Sequence, residues 1–172
     1  GLTVPLLALA ISPTTAAALM LPLLIYMDFL SVRSWWGQHN PRHLWILLPA
    51  AVVGIFIAYL LLERLNEDYL RVILGCVSLG FGLYGLILGD KTQASPSPLV
   101  GRLCGLTAGF TSFVAHAGGP PLNAYLLPLR LAKAEFLATA VVFFAVVNLV
   151  KLVPYSLLGQ INQENIIVSL LL

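Results

Sequence analysis

Charge is what this sequence is shortest of. Only 9% of its 172 residues are Asp, Glu, Lys or Arg, against roughly 25% in a soluble domain. A chain so poor in charge and 59% hydrophobic cannot cover a water-facing globule, and it reads as an all-α integral membrane protein. The basic excess is equally thin: Lys and Arg number 9, Asp and Glu 7, for a net charge of +2. These residues sit scattered at helix ends and form no stripe, which excludes a nucleic-acid partner. Cysteine is scarce too. Cys76 and Cys104 both fall inside apolar runs and imply neither a disulfide framework nor a metal centre. There is no H-E-x-x-H, no G-x-S-x-G and no pair of carboxylates on one helix face, so the chain is not expected to be an enzyme or to carry a cofactor. A basic n-region is absent as well, which argues against a signal peptide. The chain opens on Gly1 and runs apolar to Leu172. Both ends are expected to be cuts through helices of a longer protein.

What is present is a succession of apolar runs divided by short polar turns. Gly1 to Ile11 is short, with Pro5 near its start, and reads as a half-helix. Ser12-Pro13-Thr14-Thr15 offers N-cap chemistry for a long run from Ala16 to about Val32, which contains Asp28. Trp35 and Trp36 then mark a membrane–water boundary. Further helices are expected over Leu44–Leu62, Val72–Gly89, Leu99–Val114 and Phe136–Val150, with Gly54 allowing a close helix contact. Gly75, Gly80, Gly82 and Gly85 read as packing surfaces.

One stretch resists this scheme. Ala115-His116-Ala117-Gly118-Gly119-Pro120-Pro121-Leu122-Asn123 lies in the middle of an apolar run. Glycine weakens a helix interior, and each proline removes a donor and crowds the preceding turn. Unpaired backbone in hydrocarbon costs several kcal/mol, so a break at that depth must be buried in protein or line a wet cavity. A second half-helix is expected from Leu122 to about Leu129. Paired breaks in corresponding positions are the sequence mark of a transporter site, and the Pro5 segment supplies the partner. Pro5 aligns with Pro121, and Asp28 (23 steps on) then corresponds to Asn148 (27 steps on), with about one extra helical turn in the second copy.

The expected fold is therefore a polytopic helical bundle of two related repeats with discontinuous helices, broken or re-entrant. Residues 1–90 form the first repeat without its N-terminal part, 91–98 a loop, and 99–172 the second repeat without its C-terminal part. If Leu99–Leu129 crosses the membrane, Lys and Arg divide five against four between the two sides; if it dips and returns, six against three. The positive-inside rule mildly favours return, which would also make the repeats inverted.

At these residues the chain resembles the sulfite exporter TauE/SafE family of bacterial membrane proteins. The second half carries the likeness in the run from His116 to Leu127, in Ala138-Thr139-Ala140, and from Phe143 through Asn148 and Lys151 to Tyr155. The first half carries it in Gly1-Leu2-Thr3-Val4-Pro5-Leu6-Leu7, Ala16-Ala17-Ala18 and Asp28. The resemblance implies a multi-pass protein of the bacterial cytoplasmic (inner) membrane. It would move a small anion such as sulfite, a sulfonate or another organosulfur or organic acid. The competing reading is a non-transporting membrane subunit or a component of an intramembrane enzyme.

The residues expected to bind substrate are Gly118, Gly119, Asn123, Thr3, Asn148, Thr111 and Ser112, with backbone donors from Gly118, Gly119, Leu122 and Asn123 at a half-helix N-terminus. The alternative for the glycines and prolines is a kink made for packing. Asp28, His116 and Lys151 are the coupling or gating candidates, with protons as the candidate coupling ion. Each has a plainer reading. Asp28 can pair with Arg33 at the interface, His116 can cap broken backbone, Lys151 can snorkel to headgroups, and Thr111 and Ser112 can bond back to their own helix. The partners expected are the lipid bilayer and the anion; the oligomeric state has no signal in the sequence.

Overall fold

The computed structural model describes residues 13–62, 64, 67–88 and 96–159, and every regular element among them is helical. The first half-helix, with Thr3 and Pro5, lies outside the described residues, as do the loop at 89–95 and the run after 159. Six α-helices follow in order: α1 (Pro13–Ser34), α2 (Pro41–Leu62), α3 (Glu67–Leu88), α4 (Pro98–Ala115), α5 (Gly119–Leu126) and α6 (Lys133–Leu157). A 3₁₀ turn (Leu127–Leu129) follows α5. Proline opens α1, α2 and α4, where its missing N–H has no helical partner to lose. Side chains cap two of these starts. Ser97 Oγ accepts from Val100 N (3.4 Å), and Asn40 Oδ1 accepts from the amides of Arg42 (3.1 Å) and His43 (3.4 Å).

Three helices, α2, α4 and α6, are long and apolar enough to cross a membrane. Their outer faces suit hydrocarbon: Trp45, Val53, Phe56 and Leu60 on α2 and Leu149 and Val153 on α6 are all exposed. α6 extends beyond the expected stop at Val150 and runs through Pro154 to Leu157. A proline inside a helix frees one carbonyl, which membrane helices tolerate, and burial of Lys151, Pro154 and Tyr155 on one face holds this last turn in place.

α2 and α4 pack backbone to backbone. A Cβ built on Gly54 would collide with Leu106 O and one on Gly109 with Ala51 O, while one on Gly105 would lie 2.5 Å from Leu47 O. Small residues drive helix association in membranes because only they allow this approach. Gly109→Ala is expected to cost about 1–3 kcal/mol by overpacking, read as a lower thermal midpoint in detergent. Gly80→Ala, on α3 with nothing within 4 Å of the added Cβ, should leave the midpoint level or raise it through helix propensity. The α3 glycines Gly75, Gly80 and Gly82 all face open space, so they make no packing surface with the described residues.

The remaining contacts arrange the middle of the chain. α6 packs on α1 and α2, α4 also touches α1, and α5 folds back against α4 and α3. A polar knot at the start of α2 fixes these positions. Asn40 N donates to Thr139 Oγ1 (2.9 Å) and Asn40 Nδ2 to Glu135 Oε1 (2.6 Å), tying α2 to α6. His43 Nδ1 meets Tyr125 OH at 3.0 Å, tying α2 to α5.

Candidate functional site

α4 ends at Ala115 and α5 begins at Gly119. Between them His116 adopts the left-handed conformation (φ 51°), one that histidine tolerates better than most residues with a Cβ. His116 N donates back to Ser112 O (3.0 Å) and Ala117 N to Thr111 O (3.2 Å), which satisfies two carbonyls at the end of α4. Pro120 and Pro121 fall inside the first turn of α5 rather than before it, where donors are not needed. The half-helix thus starts three residues earlier than expected and gives way to the 3₁₀ turn at Leu127. Leu122 N donates to Gly118 O (3.3 Å), so Leu122 supplies no free donor. The amides of Gly118 and Gly119 remain outside the helical ladder at this end.

Two side chains of α6 reach the broken end of α4. Lys151 is fully buried. Its ammonium donates to Ser112 O (3.1 Å) and Ser112 Oγ (3.1 Å) and lies 2.8 Å from His116 Nδ1. An ammonium has three donors, and all three have a partner here. Tyr155 OH donates to Phe113 O, and its ring stacks on Phe113 with centroids 4.7 Å apart. A cation at a helix C-terminus also meets the negative end of the helix dipole. Lys151 therefore neither snorkels to the lipid surface nor stands free. Sequence alone assigns Tyr155 no role, although its i, i+4 spacing from Lys151 places both on one face.

One turn earlier on α6, Asn148 is buried and its Nδ2 donates to Asp28 Oδ2 of α1 at 2.6 Å. Its other amide atom, Oδ1, is buried with no hydrogen-bond partner among the described residues. An acceptor left in that condition is costly and marks a place where a donor is wanted. Asp28 is half-buried, and its carboxylate accepts this hydrogen bond from α6.

These groups surround a cleft of about 510 Å³. Its polar wall is Asp28, Ser112, His116, Gly119 and Asn148, and its apolar wall is Met20, Leu23, Leu24 and Met27 of α1 with Phe144 of α6. Five of the expected site residues are thus brought together, with Lys151 directly behind Ser112 and His116. Three others do not line the cleft. Thr111 bonds back to Thr107 O (2.8 Å), and Asn123 is exposed on α5. Gly118 is buried, and a Cβ there would lie 2.7 Å from Ala108 O; it is a close-packing position. Gly119 is its opposite, since a Cβ there would have nothing within 4 Å.

A mostly apolar cleft with a few convergent polar groups is the usual form of a small-molecule site. No curated protein matches the chain, and no solved structure does. The family model described as sulfite exporter TauE/SafE matches residues 1–172. With its apolar helices, its dearth of charge and a match over its whole length, the chain belongs to the sulfite exporter TauE/SafE family of membrane transporters.

Proposed function

We propose that the chain is a secondary transporter, not an enzyme, that moves a small anion across the bacterial cytoplasmic membrane. Sulfite, a sulfonate or another organosulfur or organic acid would bind in the cleft at the α4–α5 break. The observation that carries this reading is the meeting of the Gly119 end of α5 with Ser112, His116 and Asn148 around a cleft backed by the buried cation of Lys151. Gly119 N–H, at the positive end of α5 and in the wall of the cleft, would donate to the anion. The α4–α5 pair is then one discontinuous helix of the second repeat (99–172), joined by 91–98 to the first (1–90). The Asp28–Asn148 hydrogen bond supports that pairing, because residues aligned by the repeat meet across α1 and α6. Thr3 would enter from the first half-helix. Protons are the coupling ion in this reading, with Asp28, His116 and Lys151 as the candidate groups.

Charge in the cleft is finely balanced. At about 6 Å and an effective dielectric near 20, a unit charge is worth about 3 kcal/mol to a bound anion. Lys151 attracts by about that amount and an ionised Asp28 repels by a similar one. Proteoliposomes containing the full-length protein are expected to take up radiolabelled sulfite saturably, with competition from small sulfonates. Uptake no faster than in protein-free liposomes, with or without a proton gradient, would overturn the reading.

A further inference from the structure

We infer that Asp28 and Asn148 form a proton-operated switch, in which a proton on Asp28 turns Asn148 from a hydrogen-bond acceptor into a donor toward the anion. One proton is then taken up with each anion bound. This rests on the reading of the cleft as an anion site and assigns the coupling within it.

The geometry sets two states. In the structure Asn148 Nδ2 donates to Asp28 Oδ2 (2.6 Å). An ionised carboxylate only accepts, so it holds the amide in that orientation. The amide's other atom, Oδ1, is then an acceptor, buried and unpartnered among the described residues, on a side chain that lines the cleft. An acceptor repels an anion. Rotation of the amide by half a turn exchanges its oxygen and nitrogen without changing its shape. That places Oδ1 against Asp28 Oδ2, which is a hydrogen bond only if Asp28 carries a proton. It also places an NH₂ donor where the orphaned oxygen stood. When a proton from solvent forms an O–H bond on the Asp28 carboxylate, the same event removes the negative charge that repels the anion and frees a donor to hold it.

The other titratable groups facing Asp28 from the elements packed on α1 are Lys151 of α6 and His116 at the end of α4. They are engaged with each other: Nδ1 of His116 lies 2.8 Å from the ammonium, whose other two donors go to Ser112. The side-chain hydrogen bond of Asp28 goes to Asn148, the amide whose second atom is unsatisfied among the described residues. The proton is therefore assigned to Asp28 and not to the Lys151–His116 pair. Because linkage is reciprocal, anion binding must raise proton affinity by the factor by which protonation raises anion affinity.

Calorimetric titration of the full-length protein in detergent with sulfite, in two buffers of different ionisation enthalpy, counts the protons taken up per anion. Sulfite's own titration is common to all variants and drops out of differences between them. Wild type is expected to take up about one proton more per anion than Asp28→Asn at pH values where free Asp28 is ionised. Over that range its affinity relative to Asp28→Asn should fall by about tenfold per pH unit. Equal proton uptake by the two proteins would overturn the switch. Asn148→Leu removes the donor and should bind at least about tenfold more weakly than wild type at the acidic end, where Asp28 is already neutral. Wild-type affinity there would also overturn it. If wild type binds neither sulfite nor a small sulfonate at any pH, the anion-site reading fails first and the switch with it.

Discussion

Replacing Gly119 by leucine is expected to abolish anion flux while leaving the protein folded and inserted. The space around this residue sets the direction of the effect. A Cβ on Gly119 meets nothing within 4 Å, and the residue lines the cleft, so a leucine side chain fills the cleft without pressing on the helices. The N–H of residue 119 survives the change, but the anion can no longer reach it. A charge-assisted hydrogen bond is worth about 1.5–3 kcal/mol, and the leucine also occupies the space of the anion itself, so flux is expected to fall by at least about a hundredfold. The neighbouring position provides the contrast. Gly118→Ala puts a methyl 2.7 Å from Ala108 O and 3.1 Å from Ser112 Cβ, and its expected result is a lower thermal midpoint together with lower flux. Proteoliposome uptake and detergent melting, run on both variants, separate a blocked site from a damaged fold. Normal uptake by Gly119→Leu would show that the anion does not pass this cleft.

That contrast is only half legible in the sequence. Two glycines before two prolines announce a break, because both residue types work against a continuing helix. Which glycine faces the cleft and which faces Ala108 depends on how α5 folds back on α4, and that direction is set by residues far away. His43 and Tyr125 join α2 to α5, and Asn40 joins α2 to Glu135 and Thr139 of α6. None of these pairs is local, and periodicity carries no information about them. The helices themselves are legible to within a few residues, since long apolar runs with proline at their starts admit little else. The exception is α6, where the apolar run is expected to end at Val150; burial of the Lys151–Tyr155 face carries the helix on through Pro154. The same holds for side-chain roles. The sequence marks Asp28 and Lys151 as ionisable residues in apolar runs, and so as candidates. It cannot tell that Lys151 caps the end of α4 while Asp28 pairs with Asn148, because both facts depend on how α6 packs between α1 and α4.

Lys151 is where capping and electrostatics can be separated by experiment. Lys151→Met is expected to reduce sulfite binding and flux by about a hundredfold, since an anion then loses the roughly 3 kcal/mol of attraction that offsets Asp28. Stability should change far less. Methionine of similar length gives up three hydrogen bonds, but it also ends the cost of keeping an ammonium fully out of water, and these terms oppose each other. Ser112 O keeps its bond from His116 N, and Phe113 O keeps Tyr155 OH, so the end of α4 remains largely capped. The decisive protein is the double variant Asp28→Asn, Lys151→Met. If Lys151 acts on the anion through its charge, removing the opposing charge restores much of the lost affinity, and the two substitutions are strongly non-additive. If Lys151 matters only as a cap for α4, the second substitution recovers nothing, because the hydrogen bond of Asp28 goes to Asn148 and not to that helix end. Sulfite affinity measured at one acidic and one alkaline pH for the four proteins of this cycle distinguishes the outcomes. Recovery in the double variant should be largest at alkaline pH, where Asp28 of the single Lys151→Met variant is ionised and stands against the anion uncompensated.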